Sequence, residues 1–197
     1  MTAQPAMKLN LGSGTKRIAG YVNVDASAEC EPDIIMDLET VPWDFPDNAV
    51  SHIVMSHVLE HLGQTPKAFL AIMQELYRIC RDGAEIEITV PHPFHDHFVS
   101  DPTHVRAITP MTLALFDREE NLRWRAEGGA NSPLALQCGV DFRIVDFQNR
   151  LEAPAMSALK QLEERDMMLA QSFFNFGRNL ISEMWFKLKV VKPDAQP

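Results

Sequence analysis

The sequence predicts an α/β domain built on a mostly parallel sheet, and three observations carry that expectation. Five short apolar runs recur through the first half of the chain, each stopped by a polar residue, a glycine or a proline. A clearly marked amphipathic helix separates the fourth run from the fifth, and strand–helix–strand alternation is the pattern of a parallel sheet. The 197 residues, 46% of them hydrophobic and 23% charged, fit one globular domain and exclude a disordered chain.

The runs follow in order. Met7–Leu11 is stopped by Gly12-Ser13-Gly14, Tyr21–Val24 ends at Asp25, Ile34–Met36 at Asp37, and Ile53–Met55 at Ser56-His57. Ile86–Val90 is closed by Pro91. Parallel strands that end in polar or glycine residues carry a site at their C-terminal edge. For the helix, Thr65 suits the N-cap and Pro66 the first turn. Phe69, Met73, Leu76 and Cys80 then recur at helical spacing, with Ile72 and Ile79 widening the stripe. Gly83 suits the position just past the helix end.

The second half has another character. His92–Val105 reads as a polar loop with four histidines, and Thr109-Pro110 opens a short helix carrying Met111, Leu115 and Phe116. Residues 118–133 are charged, contain Gly128-Gly129 and read as a surface loop. Val140–Phe147 and Met184–Val191 read as strands, and between them Pro154 opens a helical segment of about 154–180. There Met156, Leu159, Leu162, Leu169, Phe173, Phe176 and Leu180 form one stripe, interrupted by Asp166. Packing onto the protein's own sheet is the simplest use of that stripe; a substrate lid and a homodimer seam are the alternatives.

Eighteen Lys and Arg against 27 Asp and Glu leave a net charge of −9. That disfavours free nucleic acid and an anionic membrane surface as partners, because both need a dense cationic face. Cys30, Cys80 and Cys138 form no CxxC pair and read as reduced thiols. Residues 1–7 lack the pattern of a signal peptide, and no apolar run approaches the ~20 residues that span a bilayer. A cytoplasmic protein with a small-molecule partner is expected.

Gly12-Ser13-Gly14, placed after a strand, lets the backbone take positive φ and approach a ligand closely. Asp25, ending the next run, offers a carboxylate able to accept two ribose hydroxyls. The dinucleotide fingerprint fails, since Arg17 occupies its third glycine position and Asp25 follows Gly14 by only eleven residues. A nicotinamide-dependent oxidoreductase is therefore the weaker alternative, and the first crossover must be short. No P-loop sequence occurs.

The ordered set LNLGSG, GYVNVD, DLE, PWDFPDN and SHVLEHL resembles the class I S-adenosylmethionine (SAM)-dependent methyltransferases, close to the methyltransferase type 11-like group, over about residues 8–116. The resemblance implies a Rossmann-like, mostly parallel seven-stranded sheet flanked by helices, with a shortened first crossover and an antiparallel last strand. It implies a single domain over 1–197, with 118–133 and about 154–180 as insertions. SAM is the implied cofactor. Leu11, Gly12, Ser13 and Gly14 would face its methionine end, Asp25 its ribose, Asp37 and Leu38 its adenine, and Ser56 and His57 its sulfonium. Asn10 stands where the family carries an acidic residue in its first strand. The implied reaction is methyl transfer to oxygen or nitrogen of a small molecule, a sugar or glycan precursor being one candidate. A non-catalytic cofactor-binding regulatory protein of the same fold is the other reading.

His92, His95, His97 and His104 follow the fifth run with Asp96 and Asp101 among them. Imidazole serves both as a base near neutral pH and as a metal ligand. The spacings match no standard zinc pattern, so no metal ligands are assigned; a metal site and a merely solvated polar loop are the alternatives to a catalytic or substrate-binding loop. His57, His95 and His104 are the base candidates; His92, His97, Asp101 and Arg106 are candidate substrate contacts. The segment DPTHVR (Asp101–Arg106), followed by Thr109-Pro110, also resembles the methyltransferase group. Glu60 and His61 belong to a VLEHL segment that the family carries over many substrates, and they read as an architectural pair opening a helix.

Overall fold

The apolar runs become strands of a single sheet. In chain order these are β1 (Met7–Leu11), β2 (Val22–Asp25), β3 (Ile34–Ile35), β4 (Val50–Ser56), β5 (Cys80–Pro91), β6 (Phe142–Leu151) and β7 (Ile181–Val190). The computed structural model describes residues 6–193; most of the 1–7 segment read above for a leader lies outside them. The spatial order is β3-β2-β1-β4-β5-β7-β6. Neighbours from β3 to β5 pair in parallel, and β7 runs antiparallel between β5 and β6. The expected mostly parallel seven-stranded sheet with an antiparallel last strand is what forms.

Strand period sorts the side chains onto two unlike faces. Leu9, Leu11, Ile53, Met55, Ile86, Ile88, Phe186 and Leu188 point to one face and are buried. Helix α1 (Pro66–Ile79) adds Phe69, Ile72, Met73, Leu76 and Ile79 to that core. Thr65 caps it as expected, its Oγ1 accepting from the Ala68 amide at 3.2 Å. The helix stops at Ile79, and Cys80 turns extended to start β5. Gly83 therefore lies inside β5, at φ +71°, rather than at the helix end.

The opposite face carries Lys8, His52, Glu85, Glu87 and Lys187, none of them buried. His52 Nε2 lies 3.3 Å from Glu87 and Lys187 Nζ 3.3 Å from Glu85. Parallel sheets normally have helices on both faces. Here, among the described residues, no α-helix stands in the first three crossovers, which hold turns and one short 3₁₀ segment, Ala28–Cys30. The first crossover is short because side-chain amides replace the helix. Asn10 Nδ2 donates to the Lys16 carbonyl and to Asn23 Oδ1, both at 2.9 Å. Asn23 in turn accepts from the Ile18 amide at 2.8 Å and donates to Asp33 at 2.8 Å.

Beyond β5 come α2 (Asp96–Ser100), α3 (Pro110–Ala114), α4 (Arg118–Ala126), α5 (Leu134–Cys138), α6 (Ala153–Glu163) and α7 (Met167–Phe176). Thr109 forms a capping box with Thr112 at the start of α3. Residues 118–133, expected as a loop, begin with α4. Asp117 caps it, with Glu119 and Glu120 in the first turn and Arg123 and Arg125 in the last, so helix-dipole and capping terms outweigh the polar composition. The 154–180 segment is two helices, since Asp166 accepts from the Leu169 amide and starts α7 afresh. The expected continuous stripe is thereby dephased. Leu159 and Leu180 are buried, whereas Met156, Leu169 and Phe173 are exposed. The reading of Phe176 lies outside the described side chains. Among the described residues no helix is long and apolar enough to cross a membrane.

Candidate active site

The strand order reverses at β1, with β2 on one side and β4 on the other. In open α/β sheets ligands bind at that point, outside the carboxyl ends of the strands. The β1–β2 turn is built for close approach. Gly12 has φ +64°, and a Cβ there would stand 2.4 Å from Val58 Cγ2. Gly14 also has positive φ, at +49°, and a Cβ there would meet nothing within 4 Å. Its amide donates to Asp25 Oδ2 at 2.7 Å, and the Ser27 amide donates to Oδ1 at 2.9 Å. Each carboxylate oxygen so engaged keeps further acceptor capacity. Leu11 and Ser13 are buried beneath the turn.

Asp37 is exposed beyond β3, accepting from the Glu39 amide at 2.9 Å. The Leu38 side chain is buried in the core, so only its backbone is free to border a ligand. Ser56 ends β4 exposed. His57 follows with φ +57°, a conformation that costs an L-residue roughly 1–2 kcal/mol. Its amide donates to the Thr89 carbonyl at 2.8 Å, fixing the turn against β5. The ring lies between two carboxylates, Nε2 at 2.9 Å from Glu183 and Nδ1 at 3.4 Å from Glu60. Glu60, helped by Glu183, raises the His57 pKa despite partial burial. Burial opposes ionisation of Glu183, but hydrogen bonds from Arg150 and His57 outweigh it and hold its carboxyl below the usual range. Glu183 escaped the sequence reading because it precedes the run Met184–Val191 and its partner is 126 positions away.

The loop histidines divide into three settings. His95 is buried and caps α2, its Nδ1 accepting from the His97 amide at 3.1 Å. Its Nε2 lies 3.8 Å from Glu152. Its ring lies 4.2 Å from that of His97, which is exposed. His92 lines a cleft of about 210 Å³ with Phe94, Asn149, Phe174, Leu180 and Ile181, and burial lowers its pKa. Among the described residues Asn149 Oδ1, buried there, has no hydrogen-bond partner. His104 instead joins Glu60 and His61, with its Nε2 4.0 Å from Glu60 and its ring 4.5 Å from that of His61. No helix opens at Glu60-His61; the Glu60 carbonyl accepts from the amides of Val105 and Arg106, which draws the end of the 101–106 segment to the turn after β4. Asp101 bonds to Thr103, and Arg106 donates to the Gly63 carbonyl at 3.0 Å while stacking 4.2 Å over Phe69. Asp96 turns away to Arg178 and Asn179. A larger cleft of about 530 Å³ lies around α4 and α5, and Arg125 is the one ionisable side chain among its described lining residues.

No protein-family model and no curated protein matches this sequence. Solved structures are similar over almost the whole chain. A SAM-dependent methyltransferase from Archaeoglobus fulgidus is 18% identical with a TM-score of 0.59, covering 93% of this chain and 86% of its own. One from Methanosarcina mazei is 14% identical at 0.54, covering 95% and 93%. A possible histamine N-methyltransferase from Thermotoga maritima is 12% identical at 0.52, covering 95% and 83%. With the strand order and the antiparallel β7, these likenesses establish that the chain has the class I SAM-dependent methyltransferase fold.

Proposed function

We propose that the chain transfers a methyl group from SAM to an oxygen or nitrogen of a small molecule. The observation that carries this reading is the glycine turn bonded to Asp25 at the point where the strand order reverses. Bound there, SAM supplies a methyl group activated on a sulfonium. The residues present fit it: Gly14 leaves bare backbone over the strand ends, Gly12 lets the turn pack closely on Val58, and the spare lone pairs of Asp25 suit ribose hydroxyls. Asp37 and the Leu38 backbone border the adenine side, and Ser56 and His57 border the acceptor side.

On the acceptor side the His57–Glu183 pair takes the proton that an O–H or N–H gives up. His95, as a helix cap, and His104, tied to Phe98, are less free to do so. The His92 cleft suits the acceptor body. A sugar ring has an apolar face for Phe94 and Phe174 and hydroxyls for His92 and for Asn149 Oδ1. The test is transfer of isotope-labelled methyl from SAM to panels of sugars and amines. Label is expected in an acceptor, with the His57→Ala variant losing about 10²–10⁴ in turnover at near-unchanged SAM affinity. SAM binding with no transfer to any acceptor would instead favour the cofactor-binding regulatory reading.

A further inference from the structure

We infer that Glu60, His61 and His104 hold a divalent transition-metal ion. One candidate ligand atom from each of the three lies within 4.8 Å of the others. The Glu60 side chain is fully buried, and among the described residues neither carboxylate oxygen has a hydrogen-bond partner. A buried carboxylate left that way is costly, and a bound cation is a direct way to satisfy it. His57 Nδ1, at 3.4 Å, and His104 Nε2, at 4.0 Å, are near Glu60 Oε1 without hydrogen-bond geometry.

The two imidazoles are oriented as ligands. His104 Nδ1 lies 2.8 Å from the Phe98 carbonyl, which can only accept, so Nδ1 carries the proton and Nε2 the lone pair. His61 Nδ1 lies 2.9 Å from Thr103 Oγ1, whose own proton goes to Asp101 Oδ1 at 2.6 Å. The Thr103 oxygen therefore accepts from His61 Nδ1, and His61 Nε2 also keeps its lone pair. Metal-binding histidines are usually fixed in this way, by a second hydrogen bond from the ring nitrogen that does not ligate. Asp101 Oδ2, 3.9 Å from His104 Nε2, adds negative charge nearby. Donors sharing an ion at ~2.1 Å in a tetrahedral site lie about 3.4 Å apart, so donors within 4.8 Å of one another close on the ion with inward shifts of up to about 0.8 Å each. Two nitrogens and one carboxylate suit Zn²⁺ and its first-row neighbours rather than Mg²⁺ or Ca²⁺, which prefer all-oxygen sites. Three protein ligands leave a coordination position open. The inference stands apart from the methyl-transfer reading.

The test titrates chelator-stripped full-length chain with Zn²⁺ in a calorimeter. One Zn²⁺ per chain is expected, with a rise in melting temperature that Mg²⁺ does not give. Glu60→Gln, near-isosteric, and His104→Ala should each weaken binding at least 100-fold while keeping the wild-type circular dichroism spectrum. Thr103→Val should weaken it about 10–100-fold through the His61 orientation. His97→Ala should bind as wild type. Fewer than one tightly bound Zn²⁺ per chain, or equal affinity in wild type, Glu60→Gln and His104→Ala, would overturn the inference. Loss of binding in His97→Ala alone would overturn it too, moving the ion to the outer histidines.

Discussion

Asp33 shows how single side chains hold the short β1–β2 crossover. Hydrogen bonds from the Asn23 amide and side chain, joined by Arg17, hold its pKa down to about 2. A carboxylate depressed in this way adds stability above its unfolded value near 3.8 and loses it as pH falls toward 2. Asp33→Asn should flatten that limb of an acid-unfolding curve; an unchanged limb would remove Asp33 from the account of acid stability. Gly12→Ala should cost roughly 1–3 kcal/mol in urea denaturation, because positive φ and the 2.4 Å approach to Val58 both oppose a side chain. The turn at Gly12 and the strand end at Asp25 were legible in the sequence because each closes an apolar run. Glu183, Thr103 and Asn149 were not, since their partners come from distant segments that only the fold assembles.

Elements were legible wherever period and cap agreed. Helix α1 has both, and Leu76, wholly buried on it, should cost 2–5 kcal/mol on truncation to Ala, read from the urea midpoint. Where the two signals conflict, the cap decides. Asp117 makes a helix of a charged stretch, and Asp166 splits one apolar stripe into α6 and α7. Gly83 misled for a related reason: pairing of Cys80 with Val50 ends the helix before the glycine is reached. The VLEHL segment likewise forms no helix start, because the Glu60 carbonyl is already committed to Val105 and Arg106.

Over the whole molecule, the sheet has one apolar face beneath α1 and one charged face without helices from the first three crossovers. Adjacent residues of β5 should therefore differ sharply. Ile88→Ala should cost 2–5 kcal/mol, whereas Glu87→Ala, losing partly exposed ion pairs with His52 and Lys187, should change stability by no more than about 1 kcal/mol. Equal losses would mean that the second face is buried. The sequence carried the parallel strands, each closed by its own polar signal, and its family resemblance the antiparallel β7; it did not carry the spatial order of the strands or the charged face, which depend on pairings and crossovers that only the fold assembles. The central claim, that the carboxyl edge of this sheet holds SAM through the glycine turn and Asp25, is tested most directly by calorimetric titration with S-adenosylhomocysteine. Wild type should bind one equivalent, Asp25→Ala should bind roughly 10–150-fold more weakly while melting cooperatively, and NAD should not bind. Binding of NAD in place of S-adenosylhomocysteine, or equal affinity in the folded Asp25→Ala variant, would contradict it.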